Sequence, residues 1–288
     1  MSGDWLHERL HPAYAQALRV ERSLYDSATA HQRLRVFENG LFGRVLALDD
    51  VVQTTEGDHF IYHEMLAHVP ILAHGAARRV LIVGGGDGGM AREVLRHPDV
   101  AALTMVELDA GVIDFARSYL PALSDGAFDD PRFELVIEDG AELMRRTGGG
   151  FDIIIVDSTD PSPVDAAAPE GPGAALFTPD FYADASRALA SGGILVTQSG
   201  LPFVDATLAR TMRPFRTLFA DATAYIATIP SYGCGPMAFG WGTNGEARAT
   251  PVETLRARMA AARLGPRYYT PEVHAAAFAL PGYIAAQV

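Results

Sequence analysis

Residues 79–89 read Arg79-Val80-Leu81-Ile82-Val83-Gly84-Gly85-Gly86-Asp87-Gly88-Gly89, an apolar β-branched run that breaks into a glycine-rich turn. A continuous run of this kind predicts a strand buried on both faces, and glycines directly after it allow a tight turn and close backbone approach to a ligand. Comparable runs recur at 103–106, 133–137, 152–156 and 194–197, separated by helix-length stretches. Buried strands alternating with helices predict an α/β fold around a doubly wound, mostly parallel sheet.

Upstream the pattern differs. Leu34-Arg35-Val36-Phe37-Glu38 alternates, Asn39-Gly40 is a turn signal, and Arg44-Val45-Leu46-Ala47-Leu48 and Val51-Val52-Gln53 follow. Residues 1–55 are therefore expected to form a small N-terminal antiparallel β domain, and residues 56–288 the Rossmann-like α/β domain. Phe60, Met65, Leu66 and Val69 lie at helical spacing and predict a helix ending near Pro70. Residues 161–173 contain four prolines, which break helix and sheet alike and predict a loop.

Composition removes several function classes. The chain has 288 residues, 49% of them hydrophobic, and its apolar runs are too short to span a membrane. Cys234 is the single cysteine, so an internal disulfide framework, a multi-cysteine zinc site and an iron–sulfur cluster are excluded. All 23 basic residues are arginine, which removes Schiff-base chemistry and the phosphate-loop lysine. A formal charge of −12 disfavours a nucleic-acid partner and favours a cationic or neutral ligand. No secretory leader is visible at Met1-Ser2-Gly3-Asp4-Trp5, and a cytoplasmic setting is expected.

Ligands of such sheets bind outside the carboxyl ends of the strands. Four successive strands lead into acids there: Asp87 in the glycine turn, Glu107, Glu138-Asp139-Gly140, and Asp157-Ser158-Thr159-Asp160. Glu107 stands where an acidic residue takes the hydroxyls of a ribose. A nicotinamide dinucleotide is disfavoured, because Asp87 occupies the pyrophosphate position and like charges ~4 Å apart repel by about 4 kcal/mol at an effective dielectric near 20. An adenosine without phosphates fits better, with Asp139 at the exocyclic amine of adenine. This is the nucleoside half of S-adenosylmethionine. Ordinary S-adenosylmethionine carries a carboxylate that Asp87 would repel, whereas a decarboxylated form, or a polyamine, suits the acids.

On these residues the chain resembles the spermidine synthases, the polyamine aminopropyltransferase family, over nearly its whole length. The matching stretches are Phe37-Glu38-Asn39 through Gly43-Arg44-Val45, Val51 to Glu56, Phe60-Ile61-Tyr62-His63-Glu64-Met65, Gly84 to Gly89, Val106-Glu107-Leu108-Asp109, Asp157 to Pro161, Ile229-Pro230-Ser231-Tyr232, and Tyr268-Tyr269 through Ala276-Ala277-Phe278. The resemblance implies a methyltransferase-like fold with a small N-terminal β domain, assembled as a homodimer or homotetramer. It implies Asp157 as catalytic acid/base and Gln32, Asp87, Glu107, Asp139, Gly140 and Pro172 around the donor nucleoside. Tyr62, His63, Asp87, Asp157, Asp160 and Tyr232 would surround the amine. The implied substrates are putrescine and decarboxylated S-adenosylmethionine, the latter a co-substrate, with no permanently bound cofactor, no metal, no nucleic acid and no membrane partner.

Blander readings exist beside these. Asp157 could cap a helix, Asp160 could be a turn residue, and His63 could be a packed core histidine. His59 and His63 lie at metal-pair spacing, but His68 is one residue too late to complete the zinc-protease string after His63-Glu64. Tyr62 and His63 are adjacent, so one of them is expected in the core. An S-adenosylmethionine methyltransferase and a non-catalytic polyamine or nucleoside sensor remain as alternatives. The segment 161–172 is longer than in the members the chain resembles, and it is expected to act as a lid over the site.

Overall fold

The computed structural model describes residues 3–28, 33–159 and 173–288. Two antiparallel sheets come first: β1 (Asp4–His11) pairs β2 (Tyr14–Val20), and β3 (Arg22–Ala28), β4 (Arg33–Asn39), β5 (Gly43–Leu48) and β6 (Val51–Thr55) form a four-stranded meander. Helix α1 (His59–His74) leads into β7 (Arg79–Gly84), α2 (Gly89–Leu95), β8 (Ala102–Glu107), α3 (Ala110–Tyr119), β9 (Phe133–Ile137), β10 (Phe151–Asp157), β11 (Leu189–Gln198), β12 (Asp221–Ala227) and β13 (Met237–Thr243).

The seven later strands form one sheet in the order β9-β8-β7-β10-β11-β13-β12, parallel from β9 to β11 and antiparallel at β13. Side-chain alternation on β7 divides the core. Val80 and Ile82 pack with α1 and α2, while Leu81 and Val83 pack with the helices at Gly140–Arg146, Pro179–Ala188 and Thr207–Leu218. Both faces are covered, which explains a strand apolar at every position. Chain order reverses between β7 and its neighbours β8 and β10, so the ligand crevice of this architecture opens at the end of β7.

The N-terminal meander lies against this frame. One face shares a core with the β1–β2 hairpin through Phe37, Val45, Ala47, Leu6 and Leu18. The other packs Leu34, Val36, Leu46 and Leu48 onto Phe115, Leu120 and Leu123. That contact holds the ends of β5 and β6 above the carboxyl end of the large sheet.

Two expectations need correction. β12 and β13 have no counterpart among the apolar runs of the sequence, because β13 reads Met-Ala-Phe-Gly-Trp-Gly-Thr and its two glycines mask a strand. Packing demands them: a Cβ at Gly242 would stand 2.4 Å from the Phe219 ring, and one at Gly240 would stand 3.0 Å from Thr197. The second correction is α1, which does not end near Pro70 but runs on to His74. A proline in a helix interior costs ~3 kcal/mol, and the fully buried side chains of Met65, Leu66 and Val69 around it, at about 1.5–3 kcal/mol each, outweigh that.

The helix stops instead at Gly75, in the left-handed region at φ 77°, whose N–H donates to the Ile71 carbonyl at 2.9 Å. Arg258 completes the end, donating from Nη1 to the Leu72 and Ala73 carbonyls at 2.7 and 2.8 Å. A Cβ on Gly75 would stand 2.1 Å from the Arg258 guanidinium carbon. Gly75→Ala is therefore expected to lose about 1–2 kcal/mol from the left-handed backbone alone, read as an apparent Tm lower by a few degrees. An unchanged melt would show that this cap contributes nothing to stability.

Candidate active site

The acids at the strand ends converge on one cleft. Asp157 is the last residue of β10 and pairs in register with Gly84, the last residue of β7. Gly84 adopts φ +87°, and a Cβ there would stand 2.1 Å from the Asp157 carbonyl oxygen, so only glycine lets the two strand ends lie side by side. Glu107 ends β8, and its carboxylate lies across Gly86, where a Cβ would stand 2.9 Å from Oε2. These residues line the cleft together with Asp87, Asp139, Gly140, Tyr62, His63 and Tyr232.

Electrostatics separate the acids. Asp157 keeps part of its surface open to the cleft, but protein surrounds its carboxyl on the other sides. Burial first, then the neighbouring Asp87 charge, pushes its pKa up to about 7, against the opposing hydrogen bond from Tyr62. Tyr62 Oη donates to Asp157 Oδ1 at 2.6 Å. Burial also raises Asp87, whose Oδ1 accepts from the Gly89 N–H at 2.8 Å. Glu107 is raised by burial too, and its Oε1 accepts from the Asp109 N–H at 3.1 Å. A carboxylate poised near pH 7 in a cleft is suited to proton transfer.

His63 stands beside Asp87, with Nε2 3.6 Å from Oδ2. Burial pushes the imidazole down to about 4, and 3.6 Å exceeds hydrogen-bond length. This is a neutral ring facing a carboxylate rather than an ion pair. Tyr62 and His63 both reach the cleft, and Tyr62 also belongs to the buried apolar core, as expected of one of the two. They diverge by about a quarter turn of helix, and the cleft wraps round α1 enough to take both. Tyr232 arrives from the turn at Pro230–Tyr232, and its Oη donates to the Gln53 carbonyl at 2.7 Å. Asp139 caps the helix at Gly140–Arg146, with Oδ1 accepting from the Ala141 N–H at 2.8 Å.

Gln32, Asp160 and Pro172 fall outside the described residues, as does the proline-rich segment expected to act as a lid. Among the described residues no group of three His, Cys, Asp or Glu side chains could hold a metal ion, and no helix is long and apolar enough to cross a membrane.

Glu8 is a site residue that the strand-end pattern does not reveal. It sits on the inward face of β1 between Leu6 and Leu10, it is buried, and it lines the cleft. Its Oε1 accepts from the Val52 N–H at 3.0 Å, and Gln16 donates to its Oε2. A weaker signal exists in the sequence: a glutamate in phase with two leucines on an alternating strand calls for a polar partner inside. Asp109 and Ser158 are further additions. Both line the cleft, and Asp109 Oδ2 and Ser158 Oγ are buried with no hydrogen-bond partner among the described residues. Buried polar atoms are normally satisfied, so orphans in a cleft mark where a ligand completes the bonding.

Comparison with known proteins bears on this geometry. Residues 59–250 match the family model described as a spermine/spermidine synthase domain, and residues 4–56 match a spermidine synthase tetramerisation domain. A polyamine aminopropyltransferase of Ruegeria sp. (strain TM1040) is 64% identical over 282 residues, covering 97% of this chain and 96% of the relative. Polyamine aminopropyltransferase 1 of Pseudomonas aeruginosa is 51% identical over 280 residues, covering 96% and 95%. Among solved structures, a spermidine synthase in complex with the transition-state analogue AdoDATO superposes with a TM-score of 0.91 at 36% identity, covering 100% of this chain and 95% of that one. The spermidine synthase of Thermotoga maritima gives 0.88 at 34% identity, covering 100% and 94%.

Proposed function

The chain belongs to the spermine/spermidine synthase family, and from that premise we propose that it is a spermidine synthase. It moves the aminopropyl group of decarboxylated S-adenosylmethionine to putrescine, giving spermidine and methylthioadenosine. The observation that carries the reading is Asp157, a carboxyl raised to about 7 at the junction of β7 and β10, held by Tyr62 and flanked by Asp87.

The donor nucleoside lies along the glycine turn, with its ribose hydroxyls on Glu107 and its adenine at Asp139 and Gly140. Its ammonium and sulfonium face Asp87, and no carboxylate meets that charge. The family resemblance assigns Gln32 and Pro172 to the nucleoside and Asp160 to the amine. Putrescine enters with both nitrogens protonated. Its nitrogens resemble lysine, with pKa about 10.4, so freeing one at pH 7 costs roughly 4–5 kcal/mol. An acidic pocket raises that cost by favouring the ammonium. The site divides the two demands. Glu8, with His63 near Asp87, holds the distal ammonium, while the reacting nitrogen sits beside the donor sulfonium, whose positive charge lowers its pKa.

Asp157 takes one proton from that nitrogen. The lone pair attacks the carbon bonded to sulfur, the carbon–sulfur bond breaks, and its electron pair leaves on the neutral thioether. The new secondary ammonium stays on spermidine, and the proton on Asp157 departs to solvent before the next turnover. Tyr62 steadies the base and Tyr232 orients the attacking nitrogen. Alignment of nitrogen, carbon and sulfur supplies much of the rate.

The antiparallel strands up to residue 55 form an N-terminal domain, and residues 56–288 the catalytic domain. Assembly into a homodimer or homotetramer runs through the N-terminal strands, and the enzyme works in the cytoplasm without a resident cofactor.

The test is methylthioadenosine release by purified protein given decarboxylated S-adenosylmethionine and a panel of diamines. Putrescine is expected to give the highest kcat/KM. The same assay carries a pH prediction. Asp157 acts as the carboxylate, so below about pH 7 kcat/KM is expected to fall about tenfold per pH unit. A profile flat from pH 5.5 to 7.5 removes Asp157 as the base. Preference for carboxylated S-adenosylmethionine replaces the reading with a methyltransferase.

A further inference from the structure

The mechanism uses His63 but leaves its neighbour His59 without a task. The two rings lie one turn apart on α1, both buried, with Nδ1 facing Nδ1 at 3.1 Å. The other nitrogen of His63 faces Asp87, with Nε2 3.6 Å from Oδ2. The His63 ring fills space that a side chain at residue 89 would take, since a Cβ on Gly89 would stand 2.4 Å from Nδ1. The groups acting on His59 are His63 from its own helix, Asp87 from the glycine turn, and Arg92 and Glu93 from α2. Burial pushes both imidazoles down to about 4, so each carries a single ring proton at neutral pH.

Two neutral rings sharing an Nδ1–Nδ1 contact admit two arrangements. In one, His63 donates to His59, and its bare Nε2 lone pair then faces the Asp87 carboxylate. In the other, His59 donates to His63, and Nε2–H of His63 faces the carboxylate. The first sets a lone pair against an anion. The second keeps the hydrogen bond between the rings and points an N–H at the anion, an electrostatically favourable alignment across 3.6 Å.

We propose that His59 is a positioning residue that donates from Nδ1 to His63 Nδ1, and so fixes His63 as the Nε2–H tautomer directed at Asp87. His63 thereby stabilises the charge and orientation of a carboxylate that the substrate cations must meet. A ring nitrogen's tautomer is set by the bond its other nitrogen makes, and here another histidine makes that bond. The effect on amines rests on the aminopropyl-transfer reading, whereas the tautomer does not depend on it.

Nitrogen-15 labelling of histidine, read by proton–nitrogen correlation in the ligand-free full-length protein, tests the tautomer directly. The expected spectrum shows His63 protonated at Nε2 and bare at Nδ1, with His59 protonated at Nδ1. His59→Leu removes the donor. It is expected to lower the Nε2–H population of His63 and to raise the KM of putrescine and of the decarboxylated donor, both of which meet Asp87, about ten- to hundredfold. His59→Asn keeps an N–H within reach of His63 Nδ1 and is expected to restore most of the amine KM. Wild-type His63 protonated at Nδ1 overturns the proposal, and so does a His59→Leu protein with native tautomer and native amine KM. Should His59→Leu not fold, the wild-type spectrum and His59→Asn still decide. The expected spectrum from a protein that transfers no aminopropyl group supports the tautomer and sinks the activity reading alone.

Discussion

Asp157→Asn is expected to lower turnover by about 10² to 10⁴ while making the protein more stable at neutral pH. The first effect follows from removing the base while keeping its shape, since Tyr62 Oη can still donate to the remaining carbonyl oxygen as it does to Oδ1 at 2.6 Å. The second follows from linkage. Burial raises Asp157 from the ordinary 3.8 to about 7, so between those values the folded state holds a proton that the unfolded state has lost. Stability then falls as pH rises through that window, and above it the folded state carries a buried charge with its full penalty. The shift of roughly 3 units at about 1.4 kcal/mol each sets an upper limit near 4 kcal/mol, and water in the cleft reduces it to roughly 2–4 kcal/mol. Asparagine has no such charge. The variant should melt higher than wild type at pH 8 and equally at pH 4, with nucleoside affinity retained. Turnover within tenfold of wild type would refute the base. Equal melting at pH 8 would refute the strained carboxylate, and with it the claim that stability at this site is given up for function.

Much of this site is legible in the amino-acid sequence, for a physical reason. A parallel sheet covered on both faces writes its strands as unbroken apolar runs, and its ligands gather where those runs end. The acids at 87, 107, 139 and 157 can thus be read from the position of the strands alone. Glu8 is not readable that way, because it reaches the cleft from another sheet. Its contribution depends on Leu46 and Leu48 packing against Phe115 and Leu123, a long-range contact with no local signature. β13 is hidden for a different reason. Its glycines answer to Phe219 and Thr197 on other elements, so the local propensity contradicts the strand they occupy. Pro70 misleads in the same direction, since the penalty it carries is local and the packing that overrides it is tertiary. The His59–His63 contact is visible as an i,i+4 pair. Its partner Asp87 connects to it only once the glycine turn folds back over α1.

Asp87→Asn is expected to change which donor the enzyme accepts. Asp87 is half-buried in the glycine turn, raised by its burial, with Oδ1 engaged by the Gly89 N–H. On the aminopropyl-transfer reading it receives the donor ammonium. The loop 84–89 holds no arginine that could offset the carboxylate of ordinary S-adenosylmethionine. Like charges ~4 Å apart at an effective dielectric near 20 repel by about 4 kcal/mol, roughly a thousandfold in binding. A charge-assisted hydrogen bond to the decarboxylated donor is worth about 1.5–3 kcal/mol. The asparagine variant removes both, so its affinity for the decarboxylated donor should fall about ten- to a hundredfold while its affinity for the carboxylated donor rises. Calorimetric titration of both donors measures the ratio directly. The same substitution removes a charge that raises Asp157, so the acid limb of the pH profile should move to lower pH. These two shifts distinguish Asp87 from a residue that merely shapes the loop: a structural defect would weaken both donors together and leave the limb in place. Should the donor ratio stay unchanged, the cationic-pocket explanation of donor choice fails, and selectivity must lie in the shape of the cleft around the nucleoside instead.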